Sequence, residues 1–178
     1  AFDEYSLNFI KKFKLDVIKI PSGELTNYHY LKIVAHQNKK IILSTGMSTI
    51  SEVKNALKVL KKYGAKQNQI TVLHCSTEYP VPFKNINMNA MTYMKKILNI
   101  KVGYSDHSIG NLVTIIAVAN GASVIEKHLT LDKKMKGPDH SASLEPEEFS
   151  EMVKQIRSTE LILGSHIKSP SLEEINNI

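Results

Sequence analysis

Short β-branched runs recur along the chain, each followed by a longer stretch with apolar residues at helical spacing, and this alternation most narrows the fold. The runs are Val17–Ile20, Ile41–Thr45, Ile70–Cys75, Val102–Ser105 and Val124–Leu129. Their starts lie roughly 20 to 30 residues apart, room for one strand, one helix and two loops, so successive strands join through right-handed crossovers into a parallel sheet. The stretches between them carry helix ends. Thr49 with Glu52 fits a capping box, Val53, Ala56, Leu57 and Leu60 form an apolar face, and Gly64 is placed to stop the helix. Pro146 suits the first turn of a helix that turns Phe149, Met152, Val153 and Ile156 inward. The expectation is α/β, with amphipathic helices outside buried parallel strands.

A closed (β/α)8 barrel needs eight such units and typically about 250 residues. With 178 residues and five units, the chain is expected to be a partial TIM (β/α)8 barrel, about five of eight βα units, and a fragment of something longer. Residues 1–164 would form the barrel part and 165–178 a polar tail. The open sheet would leave two strand edges unpaired. The single Cys75 allows no internal disulfide, no apolar run approaches the length of a bilayer span, and AFDEYSLNF carries acid where a signal peptide carries Lys. A cytoplasmic protein without a membrane partner is expected.

The formal net charge of +6 invites a nucleic-acid reading, but of 23 basic residues only Arg157 is arginine, and the lysines are spread as short doublets on solvated faces. No nucleic-acid partner is expected; small anions, phosphate esters or carboxylates, suit the balance better. Each run also ends in hydrogen-bonding or reactive residues: Lys19 and Ser22, Ser44 and Thr45, His74 with Thr77 and Tyr79, Ser105 with Asp106 and His107, Glu126 with His128. In parallel α/β folds ligands bind at the carboxyl ends of the strands, so these clusters should converge.

Individually the clusters leave alternatives open. Lys19 is a cation in a buried-type strand, read either as an anion-binding group or as the partner of Glu24. Ser44, Thr45 and Gly46 could offer hydroxyls and backbone N–H groups to a phosphate, or be ordinary cap residues. His107 and His128 suit a divalent transition metal such as Mn2+, or a structural role, with Asp106 either orienting an imidazole or starting a helix. Cys75 reads as a buried small residue. Asp139, in the Gly137-Pro-Asp-His-Ser-Ala-Ser143 loop, could accept bonds from sugar hydroxyls or cap a turn.

Taken in order, Lys19-Ile-Pro-Ser-Gly-Glu24, Ile42-Leu-Ser-Thr-Gly-Met47, Leu73-His-Cys-Ser-Thr-Glu-Tyr-Pro80, Gly103-Tyr-Ser-Asp-His107, Ile125-Glu-Lys-His128 and Gly137-Pro-Asp-His-Ser-Ala-Ser-Leu-Glu-Pro146 resemble the N-acetylneuraminate (sialic acid) synthase family over nearly the whole chain. The resemblance implies a C–C bond-forming transferase. Phosphoenolpyruvate would condense with N-acetylmannosamine or a related N-acylated mannosamine-type sugar, giving a nine-carbon 2-keto acid and phosphate. It implies that Lys19, Ser22, Ser44, Thr77 and Ser105 meet phosphoenolpyruvate, Thr77 standing where some members carry Asn. Tyr79 and Asp139 would lie at the sugar, and His107 and His128 would hold Mn2+ or Mg2+. Family members also have three upstream βα units carrying a catalytic Glu and another Lys. Downstream they have an antifreeze-like domain that lends an Arg to its partner's site in a homodimer. The catalytic residue is thus expected upstream, and these residues alone are expected to be inactive. The Gly-Pro-Asp-His run resembles sialic and legionaminic acid synthases more than pseudaminic acid synthases. Two other readings stay open: another phosphoenolpyruvate-dependent keto-acid synthase such as legionaminic acid synthase, and a non-catalytic anion-binding α/β domain.

Overall fold

The computed structural model describes residues 1–177. Its core is one parallel sheet of five strands in chain order: β1 Val17–Ile20, β2 Lys40–Ser44, β3 Ile70–His74, β4 Lys101–Asp106 and β5 Ile125–Lys127. With each strand beside its sequence neighbour and helices on one face, the sheet is a half-barrel. The expected β5 of Val124–Leu129 is shortened at both ends, although the Val124 carbonyl still accepts the Tyr104 N–H at 2.9 Å. Among the described residues no strand pairs with the outer edges of β1 and β5, as expected.

Among the described residues seven α-helices accompany the strands: α1 Glu4–Ile10, α2 Tyr28–Ala35, α3 Ile50–Lys62, α4 Asn89–Leu98, α5 Leu112–Ala119, α6 Pro146–Leu163 and α7 Leu172–Ile175. The capping box of Thr49 and Glu52 opens α3, with Val53, Ala56, Leu57 and Leu60 buried on one side, and Gly64 at φ 112° lies just past its end. Pro146 stands in the first turn of α6. Of its expected inward face Met152 and Ile156 are buried, and they pack with Val118 and Leu144 in a small second cluster. Residues 165–177 are exposed, with a Ser171 capping box at α7; the end of the expected polar tail, residue 178, lies outside the described residues. No described helix is long and apolar enough to cross a membrane.

Strand alternation divides the chemistry. Ile18, Ile20, Ile41, Leu43, Ile70, Val72, Val102 and Tyr104 point to the helix layer and form the main core with α2, α3, α4 and α5. Lys19, Ser44, Ser105 and Glu126, of opposite parity, line the concave face. The core is therefore built by one set of side chains and the site by the other.

Candidate active site

The carboxyl ends of the strands open onto a cleft of about 300 Å³ on the concave face. Lys19, Ser22, Ser44, Thr77, Tyr79, Ser105, His107 and His128 all line it. Asp139 joins through the loop that follows β5. That loop folds back along the strand through Leu144 N–H donating to His128 O at 2.9 Å and Thr130 N–H to Leu144 O at 2.9 Å, which brings Asp139 Oδ2 within 3.7 Å of His128 Nδ1. The expected convergence of the strand-end residues is thus observed, with three exceptions, of which Asp106 pairs with Lys127 on the helix side. His74 and Thr45 have the opposite parity. His74 Nε2 donates to the Ile86 carbonyl at 2.8 Å and Thr45 Oγ1 to the Leu73 carbonyl at 2.9 Å, and both line a separate cavity of about 410 Å³ between sheet and helices.

At the cationic end, Lys19 Nζ lies 3.2 Å from Glu126, not beside Glu24, whose carboxylate instead accepts from Asn27. Glu126 also accepts the Ser105 hydroxyl proton at 2.7 Å. Glu126 is assigned no role from the sequence; its shared parity with His128, two residues on, is the signal that places it in the cleft. Ser22 Oγ accepts the Gly46 N–H at 2.9 Å and lies 3.3 Å from Cys75 Sγ. A Cβ on Gly46 would stand 2.7 Å from Thr77 Cγ2 and 2.9 Å from Ser22 Oγ, so this corner closes only around glycine. The Gly46 N–H, together with the Thr45 N–H bonded to Leu73 O, is therefore used within the protein and does not stand open for a phosphate. Cys75 is buried, as expected, but at 6% exposure it also lines the cleft. Ser44 Oγ is different: at 3% exposure it has no hydrogen-bond partner among the described residues. A buried hydroxyl without a partner costs free energy, and a ligand oxygen in the cleft would satisfy it.

At the other end stand the imidazoles, with ring centroids 5.4 Å apart and planes at 80°. Tyr79 stacks on His107 at 4.1 Å and lies 5.5 Å from His128. His107 Nδ1 donates to the Ser76 carbonyl, which fixes the neutral tautomer with a lone pair on Nε2. Ser105 Oγ lies 3.4 Å from that nitrogen, but its proton is directed to Glu126. Burial, outweighing the Ser76 bond, lowers the His107 pKa below its ordinary value and keeps the ring neutral. The Asp106 carboxylate does not hydrogen-bond an imidazole. Alternation turns it to the helix side, where it pairs with Lys127 at 2.7 Å and accepts the Ser108 N–H at 2.9 Å.

Two imidazoles with ligand or water oxygens suit a borderline divalent ion such as Mn2+. No group of three or more His, Cys, Asp or Glu that could hold an ion exists among the described residues. The donor set therefore fits an ion that keeps open positions and does not fit a closed structural site.

A profile of the NeuB family matches residues 1–168. The chain belongs to the NeuB family. It is 52% identical over 177 residues to the N,N'-diacetyllegionaminic acid synthase of Campylobacter jejuni, covering 99% of this chain and 53% of that relative. It is 35% identical over 169 residues to the human N-acetylneuraminate-9-phosphate synthase, covering 94% of this chain and 46% of the relative. The crystal structure of N-acetylneuraminic acid synthetase from Leptospira borgpetersenii serovar Hardjo-bovis, in complex with citrate, superposes with a TM-score of 0.91 at 33% identity, over 99% of this chain and 61% of that one. The chain thus spans about half the length of the curated NeuB-family relatives it matches.

A pH dependence follows from the cavity behind the cleft. Burial pushes His74 below its ordinary value of 6.5, against bonds to the Ile86 and Asn87 carbonyls that raise it. The unfolded chain takes up this proton near 6.5 while the folded chain still resists it. The contribution is thus fully present above about 6.5 and is lost as pH falls toward the folded value. The melting temperature is expected to drop as pH is lowered from about 7 to 5, and His74→Gln, which keeps a donor for Ile86, to drop less. His107 acts in the same direction, so a residual slope in the variant is expected; an unchanged slope would refute the assignment to His74.

Proposed function

We propose that the protein carrying this chain condenses phosphoenolpyruvate with an N-acylated mannosamine-type sugar to form a nine-carbon 2-keto acid, releasing phosphate. The observation that carries the reading is the concave-face constellation. Lys19, Ser22, Ser105 and a Ser44 hydroxyl without a hydrogen-bond partner among the described residues line one cleft together with the two imidazoles of His107 and His128. Fixed donors of this kind suit a phosphate and a carboxylate. His107 and His128 would hold a divalent ion, Mn2+ or Mg2+, whose chemistry when bound is Lewis-acid polarisation of the open-chain sugar's aldehyde.

Lys19 and the serines would orient phosphoenolpyruvate so that its methylene carbon reaches the aldehyde carbon. A new C–C bond forms, water adds at the carbon bearing phosphate, and the C–O bond to phosphate breaks with phosphate leaving. Glu126, now bonded to Lys19 and Ser105, would release both to the incoming anion. Asp139 would accept sugar hydroxyls beside His128, and Tyr79 would cover the imidazoles. The higher identity to a legionaminic than to an N-acetylneuraminate-9-phosphate synthase supports a diacetamido sugar over N-acetylmannosamine.

The test is phosphate release by the full-length protein with phosphoenolpyruvate, Mn2+ and either N-acetylmannosamine or the diacetamido precursor of N,N'-diacetyllegionaminic acid, the products being weighed by mass spectrometry. Release that needs both substrates and yields the condensed acid is expected, with the diacetamido sugar preferred. Stabilisation by phosphoenolpyruvate without turnover would favour the non-catalytic anion-binding reading instead. Lys19→Met removes a charge-assisted contact of about 2 kcal/mol, so the KM for phosphoenolpyruvate should rise about 30-fold. An unchanged KM would remove Lys19 from the anion site.

A further inference from the structure

Asp106 and Lys127 face each other across β4 and β5 on the side of the sheet turned away from the cleft. Their side chains are 0% and 1% exposed and 2.7 Å apart. Asp106 Oδ1 accepts the Ser108 N–H at 2.9 Å while Lys127 Nζ also donates to the Ser108 carbonyl, so the pair grips both backbone groups of the residue after His107. Each member precedes one imidazole in sequence, Asp106 before His107 and Lys127 before His128, and the preceding residues Ser105 and Glu126 are themselves register partners facing the cleft.

A buried ion pair is weak evidence for stability, since apolar side chains of similar volume often serve the fold as well. What apolar residues cannot supply is direction. A hydrogen-bonded pair holds one register of β4 against β5 and one path for the chain as it leaves β4. We propose that Asp106 and Lys127 are the positioning residues of the two-imidazole site, setting through the backbone where His107 and His128 stand without touching the cleft. The inference rests on the reading of these histidines as ion ligands.

Asp106→Asn, Lys127→Met and the double variant test it in the full-length protein. Mn2+ affinity is measured by electron paramagnetic resonance of the free ion. The His107 tautomer is read in metal-free protein by histidine side-chain NMR at about pH 8, above the ordinary imidazole range. Wild type should show the Nδ1–H tautomer that donates to Ser76. In all three variants Mn2+ affinity should fall 10- to 100-fold, the usual effect of losing an outer partner of a metal ligand, and the tautomer should become mixed. The double variant, which buries no unpaired charge, should regain much of the melting temperature lost by the single ones without regaining affinity. If the single variants fail to fold, the double variant carries the test. An affinity within about threefold of wild type and an unchanged tautomer in the double variant would overturn the proposal. If wild type binds no Mn2+ yet shows the Nδ1–H tautomer, and the double variant loses it, the ion reading fails and the positioning role stands.

Discussion

His107→Ala and His128→Ala are each expected to lower the rate of phosphate release by about a thousandfold, to the level of wild-type protein stripped of divalent ions. The cleft offers an ion two imidazole nitrogens and no third protein ligand among the described residues, so removing either leaves a single donor. Polarisation of the sugar carbonyl is worth several kcal/mol, and about 4 kcal/mol corresponds to that factor. The measurement is the initial rate with saturating phosphoenolpyruvate and sugar, with Mn2+ titrated into apo protein of each variant. Coincidence of both variants with stripped wild type is the expected result. A His107→Ala protein whose rate still rises with Mn2+ to within tenfold of wild type would show that the ion, if one acts, sits elsewhere. Fold integrity is separable, because both rings lie on the cleft side and take no part in the apolar core.

Gly103→Ala is expected to be the most damaging single-methyl addition in the chain. A Cβ there would stand 2.3 Å from the Val124 carbonyl oxygen, 2.6 Å from Leu73 Cδ2 and 3.0 Å from Val124 Cβ. Leu73 can turn; the carbonyl cannot, because it accepts the Tyr104 N–H at 2.9 Å and belongs to the backbone that leads into β5. The two chains must therefore separate where they now touch. Overpacking of this severity costs about 3 kcal/mol, hence a melting temperature lower by roughly 10 °C for a chain of this size. Gly23→Ala is the control, since no atom lies within 4 Å of a Cβ at that position, and it should melt within a degree or two of wild type. Equal melting of the two variants would mean that β5 is free to move away from β4. Gly103→Ala should also weaken Mn2+ binding, because His107 and His128 hang from the two strands it forces apart.

Much of this arrangement can be read from the alternation of the strands, and the misreadings come from neglecting it. Lys19, Ser44, Ser105 and Glu126 share the concave face because each occupies the same parity in its strand. Asp106 stands beside His107 in sequence, yet that adjacency puts its carboxylate on the opposite side of the sheet, which is why it meets Lys127 and not a ring. His74 and Cys75 exchange places for the same reason: the histidine has a chemistry that invites a role in the cleft, but the thiol is the one with access to it. The partner of Lys19 was beyond such reading. Glu24 is five residues away and Glu126 is four strands away, and only the curvature of the half-barrel brings the latter to 3.2 Å. The placement of Asp139 was equally hidden, since it depends on the backbone bonds that fold the long loop back along β5.

The division of the sheet into a helix-facing apolar set and a cleft-facing polar set has a bearing on how such a site can change. On the proposed reading, the side chains that would meet the ligand stand outside the apolar core, so replacements at Ser22, Ser44, Thr77 or Asp139 would alter what is recognised while the scaffold keeps its shape. The seam between β4 and β5 is the exception, because there the scaffold and the reactive end share the same few residues. On the same reading substrate preference would be free to diverge across the rest of the concave face, while this one junction stays under double constraint.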